Sequence, residues 1–213
     1  MTLSTKKKPF IAVISQQVDF IAARRERRDA LDQRLIQWLW QVGVLPVEVP
    51  NALQPQGALV SWVSAITPKA VVLSGGNDIG DYSERDATET VLLNYAAEHN
   101  LPVLGICRGM QMMAVAAGTS LERIENHAGR RHILRRDPLY KHLLPLEVNS
   151  FHERRLKTCP VDFEVIAKSQ DGTIEAVRHK TRPWEGWMWH PERENPFSDI
   201  DFKRAKSLFF KDA

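Results

Sequence analysis

A chain of 213 residues is long enough to bury a full core, and 43% hydrophobic with 26% charged residues is the balance of a folded globular protein. The formal net charge of +3 is too small for a general nucleic-acid binder. Lys6, Lys7 and Lys8 precede an apolar stretch of only Pro9 to Ile14, too short for a signal segment, and no run approaches the ~20 apolar residues of a membrane span. A cytoplasmic protein with neither nucleic-acid nor membrane partners is expected. The two cysteines, Cys107 and Cys159, lack C-x-x-C spacing, which argues against a zinc ribbon or a disulfide framework.

Phe10 to Ile14 reads as a central strand. From Arg27 to Val42 the residues Leu31, Leu35, Trp38, Leu39 and Val42 recur at helical spacing, and Gly43 is a natural stop. Val44 to Val49 follows as a strand, with Pro46 placing its first residues outside the ladder. A second helix is expected over Leu59 to Ile66, a third strand over Ala70 to Leu73, a helix over Thr88 to His99 and a fourth strand over Leu101 to Ile106. This alternation implies parallel βαβ units. The second half offers short strands at Leu146 to Asn149, Phe163 to Ala167, Thr173 to Val177 and Gly186 to Trp189, then a closing helix from Ile200 to Phe210. The expected fold is α/β and doubly wound, flavodoxin-like. It has a mostly parallel central sheet, helices on both faces and extra short strands in the C-terminal half. No linker stands out, so residues 1–213 read as a single domain.

The run Gly105-Ile106-Cys107-Arg108-Gly109-Met110-Gln111 places a cysteine where the fourth strand breaks into a helix. Flanking glycines permit a tight turn and leave the thiol uncrowded, which is the geometry of a nucleophile elbow with sulfur in place of oxygen. A thiol at a helix N-terminus meets unpaired N–H groups and the positive dipole end, which favour thiolate. On these seven residues alone the other reading is a buried structural cysteine at a strand end, and a nucleophile needs a base and an orienting group besides. Trp189-His190-Pro191-Glu192 offers both: Pro191 restricts His190 to extended backbone, and two extended residues apart the imidazole and carboxylate lean to one side.

These motifs, in order, resemble the class I glutamine amidotransferase-like family, in its free-standing gamma-glutamyl hydrolase branch. Ser74-Gly75-Gly76-Asn77-Asp78-Ile79 is similar to the family's oxyanion loop, and Leu104 to Gln111 to its elbow. Val148-Asn149-Ser150-Phe151-His152 resembles the segment before its substrate wall, while Asp171 to Ala176 and Trp189 to Glu192 resemble its closing strands. The resemblance implies that Cys107 attacks a γ-glutamyl amide, His190 shuttles the proton and Glu192 orients it. It further implies an oxyanion hole from Gly76 and Arg108 N–H groups, each donor worth roughly 3 kcal/mol. Substrate contacts would come from Gly75, Gln111, Asn149, Ser150, Phe151 and His152. Gly118-Thr119 replaces the usual Gly-Gly, and His152-Glu153-Arg154 replaces His-x-Gln, which touches the substrate wall and not the triad.

Arg24, Arg25, Arg27 and Arg28 crowd the segment after the first strand, with a second group at Arg130, Arg131, Arg135 and Arg136. One reading is a solvated helix start held by i,i+3 and i,i+4 pairs. The other uses topology: ligands bind beyond the carboxyl ends of strands, where Arg25 and Arg28 would meet a phosphate-bearing leaving group. The run Arg27 to Asp32 also resembles the small amidase subgroup that acts on gamma-glutamyl-CDP-amidate in capsule phosphoramidate synthesis. His127 and His132 fit no common zinc spacing with a third ligand nearby, so they read as surface or loop residues, and no metal is expected. Cys159 reads as a small buried residue. Trp184, Trp187 and Trp189 are expected in the core, with the cleft wall as the alternative.

The sequence therefore predicts a cofactor-independent hydrolase of a small-molecule γ-glutamyl amide, with which a homodimer is compatible. The rival enzyme reading is a glutaminase subunit that delivers ammonia to a separate synthetase. The rival from another class is a non-catalytic binding module on the same fold, against which the intact Cys107, His190 and Glu192 set argues.

Overall fold

The computed structural model describes residues 9–53 and 57–210, so the Lys6 to Lys8 run lies outside the described residues. Its first strand, β1 (Ile11–Ile14), leads into a hairpin of β2 (Gln17–Ile21) and β3 (Glu26–Ala30). Then follow α1 (Gln33–Val42), β4 (Leu45–Glu48), α2 (Leu59–Ile66), β5 (Ala70–Leu73), α3 (Ser83–Glu98), β6 (Val103–Ile106) and α4 (Arg108–Ala116). The second half carries β7 (Leu121–Arg123), β8 (Arg130–Ile133), β9 (Arg135–Arg136), β10 (Glu147–Ser150), β11 (Arg154–Leu156), β12 (Phe163–Lys168), β13 (Ile174–His179), β14 (Trp184–Trp187) and α5 (Asp199–Phe209).

Among the described residues the central sheet has eight strands in the order β4-β1-β5-β6-β14-β13-β12-β9. The five from β4 to β14 are parallel, and β13, β12 and β9 extend the sheet antiparallel. Side chains alternate between faces along each strand. Ala12 and Ile14 point into a core with α1 and α5, while Val13 points into the other with α2, α3 and α4. The helices thus cover both faces of a doubly wound sheet, as the βαβ rhythm predicts. On β6 all four residues are buried, so the strand ends in the middle of the molecule with Cys107 at its tip.

Two local expectations are corrected. The stretch from Arg27 to Leu31 is not the start of a helix: residues 26–30 form β3, and α1 begins after Asp32, whose carboxylate caps the helix by accepting from Arg34 N–H at 2.9 Å. Leu31 mimics helical periodicity because it packs against the core from just outside the cap. Pro46 lies inside the ladder, opposite Ala12. The N–H groups of Leu45 and Val49 turn inward to β1, so position 46 needs no donor on the open side of an edge strand.

Gly186 to Trp189, expected among the added strands, contributes β14, which lies parallel to β6 at the centre of the sheet. Trp187 and Trp189 stack at 5.3 Å between ring centroids and are fully buried, so they belong to the core and not to a cleft wall. Among the described residues three ribbons, β2 with β3, β10 with β8 and β11 with β7, stand outside the main sheet.

Candidate active site

The turn at Cys107 is strained and held. Its φ of 50° and ψ of −106° lie where residues other than glycine pay about 1–3 kcal/mol. The Cys107 N–H donates to the Trp187 carbonyl at 2.7 Å, and the Cys107 carbonyl accepts from Gln111 N–H at 3.1 Å. The turn also needs glycine at 109, because a Cβ there would overlap the Leu73 carbonyl of β5. Strand, corner and helix are thereby fixed to two neighbouring strands.

His190 follows β14 in extended backbone, as Pro191 predicts. Asn149 grips it from both sides: His190 N–H donates to Asn149 Oδ1 at 3.0 Å, and Asn149 Nδ2 donates to the His190 carbonyl at 2.8 Å. Glu192 meets the ring through a short 3-10 turn over Pro191–Arg193, not through the extended chain expected, and its Oε1 lies 2.6 Å from Nδ1. Both side chains are buried. Burial pulls the imidazole down, but hydrogen bonding to Cys107 and Glu192, with their negative charge, outweighs it and raises His190 to about 9. A proton is therefore stored between sulfur and carboxylate. Phe151 presents its ring edge-on to His190 at 5.7 Å.

Facing His190 is the loop after β5. A Cβ on Gly75 would come within 2.6 Å of the His190 Cε1, so only glycine lets the backbone approach the imidazole. Arg85 holds this loop from behind, donating to the carbonyls of Ser74 at 3.0 Å and Gly75 at 2.7 Å. With the Gly75 carbonyl pinned backward, the Gly75–Gly76 peptide has a fixed plane. Arg85 pairs with Glu89 at 3.2 Å, and Glu89 also pairs with Arg108, which bonds Asp86 and the Asn77 carbonyl. Burial lowers Arg85 to about 10 and Arg108 to about 9, and both stay charged at neutral pH. The Arg108 side chain is thus a strut, leaving only its backbone N–H at the start of α4 for the elbow.

A cavity of about 290 Å³ opens beside this loop, lined by Gly75, Gly76, His190 and Glu192 together with Gln17, Asp19, Asp32 and Arg193. The structure brings Cys107, His190, Glu192, Gly75, Gly76 and Arg108 to one place at the carboxyl ends of β5, β6 and β14. The expected substrate residues divide. Asn149 serves the His190 backbone, Ser150 is fully buried, and Phe151 borders the imidazole. The Gln111 amide donates to the Arg154 carbonyl at 3.1 Å. His152 is turned away, bonded to the Arg154 carbonyl and to His127, which removes it from the substrate wall.

Arg25 and Arg28 are a further correction. Arg25 sits at the hairpin tip, Arg28 pairs with Glu26 on the surface, and neither lines the cavity. Arg193 does line it, over Phe151 at 4.6 Å. Of the second arginine group, Arg131 is taken up by Glu147 and Glu194, and Arg136 by the Leu144 carbonyl. Cys159 is half-buried beside a separate cavity, where burial pushes its thiol up. His127 is buried and not a surface residue, for reasons taken up below. Sequence reasoning missed Arg85 and Glu89, whose burial on a helix face carried no apolar signal.

The chain is similar to known proteins over most of its length. The family model described as Peptidase C26 matches residues 9–192. The chain is 36% identical over 138 residues to a Campylobacter jejuni protein named gamma-glutamyl-CDP-amidate hydrolase, spanning 62% of this chain and 66% of that one. It is 33% identical over 164 residues to a Methanocaldococcus jannaschii protein named as a subunit of glutamine-hydrolyzing GMP synthase, covering 75% of this chain and 81% of that one. A solved structure of a putative GMP synthase subunit from Thermoplasma acidophilum superposes with a TM-score of 0.68. It covers 94% of this chain and 93% of that one at 22% identity, and so speaks for the fold. With an elbow cysteine, its histidine and a matching profile over nearly its whole length, the chain belongs to the Peptidase C26 family of class I glutamine amidotransferase-like proteins.

Proposed function

We propose that this protein hydrolyses a small-molecule γ-glutamyl amide through a thioester on Cys107. The observation that carries the reading is the buried Cys107, His190 and Glu192 array, in which His190, held by hydrogen bonds to both partners, is raised to about 9. The sulfur attacks the γ-carboxamide carbon while the developing oxyanion is met by the N–H groups of Gly76 and Arg108. The C–N bond breaks as His190 gives its proton to the leaving nitrogen. Water, deprotonated by His190, then attacks the thioester, releasing glutamate and restoring the thiol. No cofactor enters these steps. The reading takes residues 1–213 as one catalytic domain working in a reducing, cytoplasmic setting.

For the leaving group, a nucleotide-linked amidate is the favoured class. The similarity to the Campylobacter jejuni hydrolase supports it, as does Arg193 at the cavity, a guanidinium suited to phosphate. The second reading, a glutaminase subunit that hands ammonia to a synthetase, draws on the relatives named as subunits of glutamine-hydrolyzing GMP synthase. Glutamate release by the purified chain separates them. A γ-glutamyl nucleotide amidate should be turned over without any partner at a kcat/KM at least about tenfold above that for glutamine, the size of one charge-assisted contact. Turnover of glutamine alone, and only when a synthetase is added, would replace the first reading with the second.

A further inference from the structure

A second group of chemically active side chains lies behind the catalytic wall. His127 comes from the loop between β7 and β8, His132 from β8, His152 from the turn between β10 and β11, and Glu175 from β13. Each offers one ligand atom, and these atoms all lie within 4.8 Å of one another. Three are closer still: His127 Nδ1 and His152 Nε2 are 3.2 Å apart, and Glu175 Oε1 lies 3.6 Å from the first and 3.5 Å from the second.

The protons in this group can be counted. His152 Nδ1 is 2.9 Å from the Arg154 carbonyl, which can only accept, so Nδ1 carries the hydrogen and Nε2 presents a lone pair. His127 Nε2 is 2.9 Å from Asp171 Oδ2. The other oxygen of Asp171 already accepts from Ser169 Oγ at 2.5 Å and Thr173 N–H at 3.0 Å, so this carboxylate is an acceptor and His127 Nδ1 is bare as well. Two ring lone pairs and a carboxylate oxygen therefore converge. Among the described residues Glu175, fully buried, has no hydrogen-bond partner at either oxygen, and His132 Nε2 is buried without one too. A single proton on His127 Nδ1 would ease its contacts with His152 and Glu175 but leave the His152 lone pair against the Glu175 carboxylate. A cation held by all of them would satisfy every one.

We infer that His127, His132, His152 and Glu175 bind one divalent transition-metal ion, zinc by the character of the donor set. Zinc bonds of 2.0–2.2 Å in tetrahedral geometry place ligand atoms about 3.3–3.5 Å apart, the spacing of the close trio. His132 would complete the set by a short swing of its ring. Three imidazoles with one carboxylate suit zinc, and four protein ligands close the site, which is the pattern of a structural centre. The outer shell is already built: Asp171 and the Arg154 carbonyl hold the far nitrogens of His127 and His152, fixing tautomer and ring orientation. An ion has a way in, because a cavity of about 500 Å³ is bordered by His127, His132 and Asp171. The site would fasten the outer ribbon of β8 and β10 to β13 of the main sheet, and so steady Phe151 beside His190. The inference is independent of the leaving group.

The test is zinc and cobalt titration of the chelator-treated full-length protein, in parallel with Cys107→Ala to remove the catalytic thiol as a competing ligand. One equivalent should bind in both, with the visible bands of tetrahedral cobalt. Zinc at about 100-fold over Kd should raise the melting temperature by roughly 5 °C or more. His127→Ala, His152→Ala and Glu175→Gln should each weaken binding about 100-fold or more, and His142→Ala, an exposed control, should leave it unchanged. Where a buried variant fails to fold, Asp171→Asn on the half-exposed outer carboxylate should weaken binding about 10–100-fold. No saturable binding, or binding that survives the Glu175 and Asp171 substitutions, overturns the site. So does a melting temperature unmoved by zinc, the outcome if a proton alone bridges the group.

Discussion

Two buried polar cages flank the cleft, one behind the Ser74–Gly76 loop and one behind Phe151, and they are balanced differently. The first sets two guanidiniums, Arg85 and Arg108, against Glu89 and Asp86, so each charge has an opposite in contact. The second gathers imidazole nitrogens around Glu175, whose oxygens have no donor. Burial costs both cages solvation, but only the first recovers it from its own side chains. The difference separates a scaffold finished by folding from one finished by a bound cation.

The largest effect should come from neither cage but from the thiol between them. Cys107→Ala should cut turnover by about 10⁴-fold or more with the fold retained, and Cys159→Ala should stay within about twofold. Equal losses from the two variants, with folding intact, would move the chemistry away from the elbow.

The comparison itself is sharpened by removing one anion from each cage. Glu89→Gln leaves buried Arg85 without its carboxylate partner, takes one of two from Arg108, and should cost about 3–5 kcal/mol in urea unfolding. Glu175→Gln, measured in chelator, removes a carboxylate without a donor and should cost less than about 1 kcal/mol or stabilise the fold. Similar costs at both sites would mean that the second cage is as well balanced as the first.

A smaller and pH-dependent effect belongs to His190. Its folded value of about 9 lies above the ordinary ~6.5, so it contributes stability that is complete below about pH 6.5 and lost as pH rises through about 9. That contribution is on the order of 3 kcal/mol. Glu192→Gln should narrow it, and the gap in melting temperature between wild type and variant should close toward pH 10. A gap that is constant across this window would show that the Glu192 contact does not act through the imidazole charge.

The elbow was legible because everything it needs is contiguous: a buried strand, two glycines, a cysteine and a helix within a dozen residues. The parallel core was legible for the same reason, since each strand is a short apolar run. The β2–β3 hairpin was not, because its Gln17–Ala30 ribbon stands outside the sheet and sets Val18 and Phe20 of β2 against the charged Asp29 and Arg27 of β3, so no apolar face runs through both strands. The start of α3 was missed because Arg85, Thr88 and Glu89 bury a polar face that hydropathy reads as solvent. His127, His132, His152 and Glu175 are drawn from four segments, beyond the reach of any local spacing rule.

Pro46 carries a consequence for assembly. The inward N–H groups of Leu45 on β4 and of Val49 just past it are spent on Phe10 and Ile14 along β1, and of the two β4 positions facing outward one is a proline with nothing to donate. The opposite border of the sheet is β9, only two residues long. Among the described residues the open edges are thus broken on β4 by Pro46 and, before β9, limited to Phe163 to Val165 of β12, too short a row on which to lay a strand. Copies of this chain that associate should therefore meet through helices or loops, and the eight-stranded sheet should remain eight-stranded in any oligomer.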